Sequence, residues 1–339
     1  MKKYKKMLFL FGVLLGLTGC AEGTVVSNVP EGALEVHYID VGQGDCILLA
    51  SEGQYMLIDG GNNGDDDIII PYLQNLGVEK LDMVVGTHPH EDHIGALDDV
   101  LENFDVDAFY MPTITVNTKT YQDVLDAVAA EGLEVQHPMA GDMLEFNGLP
   151  VEVLGPVKEY SDLNNNSIVM RISVGETSFL FTGDIEAKAE FDILKEGYDV
   201  KADVLKVAHH GSSGSSVEEF LAYTDADYGI ISVGTGNVYN HPEAPTLKRL
   251  KNYGIDYYRT DTQGTVVCTT DGQNISFDLP GESTPSVEKP GVNYIGNKNT
   301  MKYHTPDCGS LPTKKNCVTF ENKKEAQKEG YAPCGSCKP

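Results

Sequence analysis

The sequence predicts an α/β protein in which two β-sheets pack face to face with helices on their outer faces, followed by a small second domain. Three observations lead there. Strand-type runs fall into two β-rich halves, each interspersed with helical patterns, and such halves bury their apolar faces as stacked layers. The composition changes near residue 285: Pro280 to Gly291 reads Pro-Gly-Glu-Ser-Thr-Pro-Ser-Val-Glu-Lys-Pro-Gly, which is linker composition. Four of the seven cysteines, Cys308, Cys317, Cys334 and Cys337, then crowd into the last stretch. A chain of 339 residues suits one large domain plus a small one.

Taken in order, Met1 to Cys20 is a targeting segment. Lys2, Lys3, Lys5 and Lys6 form its positive start and Met7 to Leu17 its short apolar stretch. That stretch is too short for a dependable membrane span. It ends Leu17-Thr18-Gly19-Cys20, which resembles the lipobox of bacterial lipoproteins, where cleavage precedes the Cys and the thiol is lipidated. The resemblance implies an extracytoplasmic protein held to the bacterial membrane by acyl chains on Cys20, with residues 21–32 as a tether. No later apolar stretch approaches the length of a span, so no transmembrane channel is expected in this chain.

Residues 33–280 form the large domain. Leu34 to Asp40 alternates as a strand does, and His37 within it is a strand residue rather than a ligand. Val41-Gly42-Gln43-Gly44-Asp45 is a Gly-rich turn that lacks the Lys and helix start of a phosphate loop. Ile47 to Ala50 and Tyr55 to Asp59 complete a meander, and Ile68 to Leu76 is a helix ended by Gly77. Leu81 to Gly86 reads as a buried strand, Ile94 to Leu101 as a helix and Val106 to Met111 as a strand. Lys119 to Glu131 is a helix closed by Gly132, and Leu133 to His137 a strand. β-rich sequence returns in Met143 to Phe146, Val151 to Leu154, Ser167 to Val174 and Ser178 to Thr182. Helix Glu186 to Glu196, strand Val204 to Ala208, helix Val217 to Tyr223, strand Tyr228 to Val233 and helix Pro245 to Tyr253 follow. Ile255 to Arg259, Thr265 to Thr270 and Ile275 to Leu279 finish as strands. Cys46 and Cys268 fall in apolar runs as buried thiols.

The chemistry concentrates in Thr87-His88-Pro89-His90-Glu91-Asp92-His93, at the end of the Leu81–Gly86 run. The spacing His-x-His-x-Asp-His gives two nitrogen ligands to one borderline metal ion and a nitrogen plus an oxygen to a second. This cluster resembles the signature of the metallo-β-lactamase superfamily. Met56-Leu57-Ile58-Asp59-Gly60-Gly61, Phe179 to Asp184 and Val204 to Ser212 match it in the expected order, so the likeness covers roughly residues 33 to 280. It implies an αβ/βα sandwich with two divalent ions, Zn or Mn, at one edge between the sheets. His88 and His90 would hold the first ion, Asp92 and His93 the second, and Asp184 would bridge them. The last ligand is His210 or its neighbour His209; the Gly that directly follows favours His210. Asp59 would orient a ligand from behind. Many members place a further His before the bridging Asp. Here that position reads Leu163-Asn164-Asn165-Asn166-Ser167, and His137 lies too early to serve. The first ion is therefore short of nitrogen, which makes its site weaker, more open, or better suited to a harder ion such as manganese.

Tyr38 to Asp45, Asn164 to Val169, Ala208 to Ser212 and Asn240-His241-Pro242 together resemble the metallo-β-lactamase-like domain of ComEC-type DNA-uptake proteins. That resemblance implies metal-assisted hydrolysis of a phosphodiester, with nucleic acid as the substrate class. His241 would bind phosphate or protonate the leaving group, or be a plain loop His beside Pro. Ser212, Ser213, Ser215 and Ser216 are turn residues and a helix cap before they are substrate donors. No Ser-His-Asp triad is needed.

Residues 292–339 form the small domain. It reads as short strands and one helix (Lys323 to Glu329) and ends Cys334-Gly335-Ser336-Cys337. The end resembles the zinc-binding module of Ada-type DNA repair proteins, with His304 where that family has a Cys. The implied set is His304, Cys308, Cys334 and Cys337 around one structural zinc, with Cys317 left over. About fifty residues cannot build a large core, so a staple is expected; two disulfides among the four clustered Cys are the rival.

Charge bounds the partners. The net formal charge is -26. The first twenty residues hold four Lys and no acid, and residues 285–339 hold nine Lys against five acids. The middle keeps 12 of the 25 basic and 46 of the 51 acidic residues, a balance of -34. Such a body argues against tight, nonspecific nucleic-acid binding, because no broad basic face is there to displace phosphate counterions. Three readings follow. One is a surface-anchored phosphodiesterase or extracellular nuclease. A second is a hydrolase of a small phosphoester such as a phosphorylcholine ester, or of a lactone, thioester or β-lactam. The third is a DNA- or cell-wall-binding accessory protein with a vestigial site.

Overall fold

The computed structural model describes residues 32–280 and 294–339, apart from residues 306, 307, 313, 321, 322, 336, 338 and 339. The expected signal segment with Cys20, the tether except for its last residue, and the 281–291 linker lie outside the described residues.

Strands β1 (Leu34–Tyr38), β2 (Ile47–Ser51) and β3 (Gln54–Ile58) form the predicted meander, and α1 (Asp66–Asn75) follows. Next come β4 (Lys80–Leu81), β5 (Met83–Val85), α2 (Glu91–Ile94), α3 (Leu97–Asn103), β6 (Asp105–Val106) and β7 (Phe109–Tyr110). Helix α4 (Lys119–Ala130) starts at Thr118, whose hydroxyl accepts from the Tyr121 N–H at 3.3 Å, and leads to β8 (Val135–Gln136). The second half runs β9 (Met143–Phe146), β10 (Leu149–Gly155), β11 (Val169–Val174), β12 (Thr177–Phe181), α5 (Ala187–Glu196) and β13 (Val204–Lys206). It continues α6 (Glu218–Thr224), β14 (Tyr228–Ile231), α7 (Ala244–Asn252), β15 (Asp256–Arg259), α8 (Thr260–Gln263), β16 (Val266–Thr270) and β17 (Ile275–Asp278).

These strands make an eight-stranded sheet in the order β17-β16-β1-β2-β3-β5-β7-β8 and a seven-stranded sheet in the order β15-β14-β13-β12-β11-β10-β9. Side-chain alternation explains why they stack. In β2, Ile47 and Leu49 enter the core between the sheets while Leu48 packs outward under α1 and α3. In β12, Phe179 and Phe181 point into that same core and Leu180 points out toward α5. Each such side chain, fully buried, contributes about 1.5–3 kcal/mol. The expected sandwich with helices outside is the observed architecture.

Two expectations are corrected. The helix predicted from Ile94 to Leu101 is two helices, α2 and α3, broken at Gly95. The chain there runs against the 60–63 loop, and a Cβ at Gly95 would lie 2.1 Å from the Asn62 main-chain carbon. The strand predicted from Val106 to Met111 is also two. β6 pairs with β4 in a separate two-stranded sheet, and only β7 joins the large sheet. The chain breaks step at Asp82 and Asp107, whose carboxylates both turn to Lys80.

The small domain holds β18 (Tyr294–Asn297), β19 (Lys302–His304), β20 (Cys317–Phe320), α9 (Lys323–Lys328) and β21 (Ala332–Pro333). Its sheet order is β20-β18-β19-β21, and among the described residues its buried hydrophobic cluster is Tyr303, Phe320 and Ala326. Among the described residues no helix is long and apolar enough to cross a membrane.

Candidate metal centres

Four loops meet at one edge of the sandwich, each leaving the end of a strand. β3 ends in Asp59, β5 leads to His88–His93, β12 to Asp184 and β13 to His209–His210. The turn after β1 closes the floor. Gly44 sits where a Cβ would meet the Asp92 carbonyl oxygen at 2.6 Å, and the Asp45 N–H donates to that oxygen at 3.1 Å. Asp59, His209 and His210 all adopt left-handed backbone, with φ of 61°, 52° and 51°, an uncommon conformation for residues with a side chain. The pair of left-handed residues sends the His210 ring into the site, where it is buried, and leaves the His209 ring at the rim.

Within the cluster His93 Nε2 lies 3.3 Å from Asp184 Oδ2. His210 Nε2 lies 3.4 Å from Asp92 Oδ2 and 3.5 Å from Asp184 Oδ2. None of these pairs has hydrogen-bond geometry: His93 Nε2, His210 Nε2 and Asp184 Oδ1 are buried polar atoms without a hydrogen-bond partner. Buried polar atoms are nearly always satisfied, so atoms left bare and converging fit a missing cation. The opposite nitrogens are anchored. His93 Nδ1 donates to Asp59 Oδ2 at 2.8 Å, and Asp59 also accepts from the Thr87 N–H and hydroxyl. His210 Nδ1 donates to the Ser232 carbonyl at 2.9 Å. Both anchors fix the tautomer that leaves Nε2 as a ligand. His88 Nε2 and His90 Nδ1 face each other at 2.9 Å.

The ligand atoms of His88, His93 and Asp184 converge within 4.8 Å, as do those of Asp92, His93 and His210. His90 meets the cluster through His88, and His209 lies 3.7 Å from Asp184 Oδ2. His241 stands at the mouth, its ring 5.5 Å from that of His209 and 6.4 Å from that of His210. Its Nδ1 is buried with no hydrogen-bond partner. His137 bonds the Met111 carbonyl, and His37 bonds the Tyr72 hydroxyl.

Electrostatics tie the cluster together. Burial alone would raise the carboxyl of Asp184, but His210 and His93 outweigh it and hold the group well below the usual range. Burial would lower His93, yet Asp184 and Asp59 hold it well above its ordinary value. His210 is carried to about 10 in the same way, against burial, by Asp184 and Asp45. Burial and His93 push His88 down. Without ions the carboxylates are thus neutralised by protons on imidazoles, and divalent ions would take those protons' place. The nitrogen and oxygen donors suit zinc or manganese.

Three residues escaped the sequence reading. Asp45 is buried, 3.4 Å from His210 Nδ1, and bonded to Lys206 Nζ at 2.7 Å. Burial would raise its carboxyl, but Lys206 and then His210 bring it down to about 2. Lys206 is itself fully buried. A single Lys in the apolar run Val204–Ala208 and an Asp closing a Gly-rich turn were the available signals. Asn164 lies in the Leu163–Ser167 stretch that holds no His. Its amide nitrogen bonds Glu186, and its buried amide oxygen has no hydrogen-bond partner. Three residues on, the Ser167 hydroxyl accepts from the Asp184 N–H at 3.1 Å.

In the small domain His304, Cys308, Cys334 and Cys337 bring their ligand atoms within 4.8 Å, with His304 Nδ1 3.3 Å from Cys308 Sγ. No disulfide joins the cysteines among the described residues, and the Cys317 thiol donates to the Pro312 carbonyl. Three thiols and an imidazole at one point fit a closed tetrahedral zinc site.

A family model described as "Metallo-beta-lactamase superfamily" matches residues 39–235, and one described as "Metal binding domain of Ada" matches residues 288–339. The chain is 34% identical over 251 residues to "ComE operon protein 3" of Bacillus subtilis, covering 68% of this chain and 32% of that protein. It is 30% identical over 241 residues to "Competence protein ComA" of Neisseria gonorrhoeae, covering 70% and 32%. The chain therefore spans about a third of the length of these relatives. Among solved structures, the metallo-beta-lactamase fold protein YhfI of Bacillus subtilis is similar at 14% identity and a TM-score of 0.48, over 70% of this chain and 99% of that one.

Proposed function

Given that the chain belongs to the metallo-beta-lactamase superfamily and is a metal-dependent hydrolase related to competence proteins, with an Ada-like zinc-binding domain, we propose that it cleaves phosphodiester bonds, as an extracellular nuclease anchored to the membrane surface. The observation that carries the hydrolytic reading is the convergence of His88, His93 and Asp184, and of Asp92, His93 and His210, with His93 Nε2, His210 Nε2 and Asp184 Oδ1 buried and without a hydrogen-bond partner. The kinship to competence proteins supports the phosphodiester.

His88 and His90, with Asp184, would hold one ion; Asp92, His93 and His210, with Asp184, would hold the other. The Leu163–Ser167 stretch supplies no imidazole, which favours a hard ion such as manganese at the first position. When bound, two divalent ions lower the pKa of a water molecule and offset charge on the phosphate oxygens. The protein's own groups do the rest. Asp59 and the Ser232 carbonyl fix the His93 and His210 rings, so the donor set is preorganised. Lys206 neutralises Asp45 beneath them. His241 at the mouth is placed to give a proton to the leaving oxygen. His209, at the rim, faces substrate rather than an ion. Cys20 carries the lipid, residues 281–291 link the two domains, and the zinc module contacts nucleic acid or wall polymer; the sequence alone supports these three.

The test is hydrolysis of bis-(p-nitrophenyl) phosphate and of single-stranded DNA by the full chain supplied with manganese or zinc, beside Asp184→Ala. Turnover of both, lost at least about a thousand-fold in the variant, is expected. Turnover of the small diester alone would move the substrate to a small phosphoester. No turnover of either, with ions bound, would sink the phosphodiesterase reading. Labelled palmitate incorporated into the chain and lost in Cys20→Ala checks the anchor.

A further inference from the structure

Beside the mouth of the site, the loop between β14 and α7 holds two apolar side chains out in water. Val238 is 86% exposed and Tyr239 61%. Exposed apolar residues on loops are ordinary when the loop is loose. This loop is braced. The Asn237 amide donates to the Gly234 carbonyl at 2.9 Å and the His241 carbonyl at 2.7 Å, and its oxygen accepts from the Tyr239 and His241 N–H groups. Four bonds from one side chain fix the turn that carries both residues. Gly234 packs on the Gln43 backbone and its N–H donates to Gln43 Oε1 at 3.2 Å, which ties the loop to the floor of the site.

The rings form a line. His210, inside the site, lies 28° from parallel to His241 at 6.4 Å. His241 lies 26° from parallel to Tyr239 at 5.7 Å. A succession of near-parallel rings thus leads from a metal-ligand candidate to an open aromatic face in solvent. Its outer end is two ring contacts from His210.

We propose that Tyr239, with Val238 beside it, is a stacking platform for an unpaired nucleobase adjacent to the phosphodiester being cleaved, so that the substrate class is single-stranded nucleic acid. This rests on the phosphodiesterase reading and narrows it. The charge of the chain supports it. A protein at -26 cannot draw its affinity from a basic groove, whereas stacking on an aromatic ring is indifferent to that charge. A base within a duplex has both faces covered and cannot use the platform; an unpaired base can.

The experiment uses the full chain with manganese, a short oligothymidylate, and the same strand built from abasic tetrahydrofuran units. The intact strand is expected to exceed the abasic one in kcat/KM by at least about five-fold, the low end of what one stacked base is worth. That ratio should fall toward one in Tyr239→Ala and return in Tyr239→Phe, which keeps the ring. A ratio near one in the unaltered protein, or one unchanged by Tyr239→Ala, overturns the platform and leaves the phosphodiesterase reading standing. If neither strand is cleaved, that reading fails and binding decides the platform. Quenching of a 2-aminopurine strand that Tyr239→Ala abolishes upholds it, and quenching that survives the variant overturns it.

Discussion

In the sandwich, the ligand candidates are nitrogens and carboxylate oxygens on four loops, each loop springing from a strand of a large buried core. In the small domain, three thiols and one imidazole close around a point in a fold whose hydrophobic cluster, among the described residues, is three side chains. The first cluster is propped from behind by protein: Asp59, Ser232, and the Asp45–Lys206 pair. Three of the second's four donors are soft thiols. The difference teaches which partner depends on which. The sandwich is expected to fold without its ions, while the module is expected to need its ion in order to fold. An open set of harder donors leaves room for substrate, and a closed set of thiolates leaves none.

The widest separation should come from removing a zinc ligand. Cys334→Ser, or a strong chelator, is expected to unfold the module, because structural zinc contributes about 10–16 kcal/mol to such small folds. The sandwich should keep its own thermal transition. Calorimetry that shows one transition lost and the other in place would confirm the contrast; a module that stays folded without zinc would break it.

A smaller effect is expected from the scaffold behind His210. Glu190 is buried, accepts from the Ser216 and Val217 N–H groups, and so braces the loop that follows His210. Burial pushes its carboxyl up to about 7 from the ordinary 4.5. The folded state therefore holds a proton that the unfolded chain releases. The sandwich should be most stable below the unfolded value and lose about 3 kcal/mol as pH rises through 7. Urea unfolding of the protein and of Glu190→Gln between pH 5 and about 8 checks this. The slope should flatten in the variant, and an unchanged slope would remove Glu190 as its source.

The smallest effect sharpens the comparison at the ligands. Asp59→Asn keeps the size of the group that orients His93 and discards its charge. Ion affinity in the sandwich should fall about 10–100-fold, with zinc in the module untouched. Competition against a chromophoric chelator reads both at once, and equal losses at the two sites would show that they are not independent.

The sequence made most of this legible where a residue type and a periodicity point the same way. Alternating apolar residues announced the strands, and His-x-His-x-Asp-His announced the ion site. It was opaque where a third element decides. Nothing local shows that Gly95 must yield to the 60–63 loop, so one helix was read where two exist. Nothing local shows that Asp82 and Asp107 turn to the same Lys80 and split a strand. Asp45 and Lys206 are 161 positions apart and acquire meaning only as a buried pair. The choice between His209 and His210 likewise depends on two consecutive left-handed residues, which no spacing reveals.

One feature of the large sheet bears on how such a domain travels between proteins. Its first strand pairs with the penultimate one, Leu34 opposite Thr270 and Tyr38 opposite Val266. The entry and exit of the sandwich therefore share one margin of a single sheet, far along the chain from each other yet adjacent in space. A unit with that layout can be appended to, or set within, a longer polypeptide by splicing at one corner, without disturbing its core or its loops. The same stretch that stands here beside a metal-binding module accounts for about a third of each competence relative. The pairing of β1 with β16 makes the hydrolytic unit portable, and its neighbours are then free to differ.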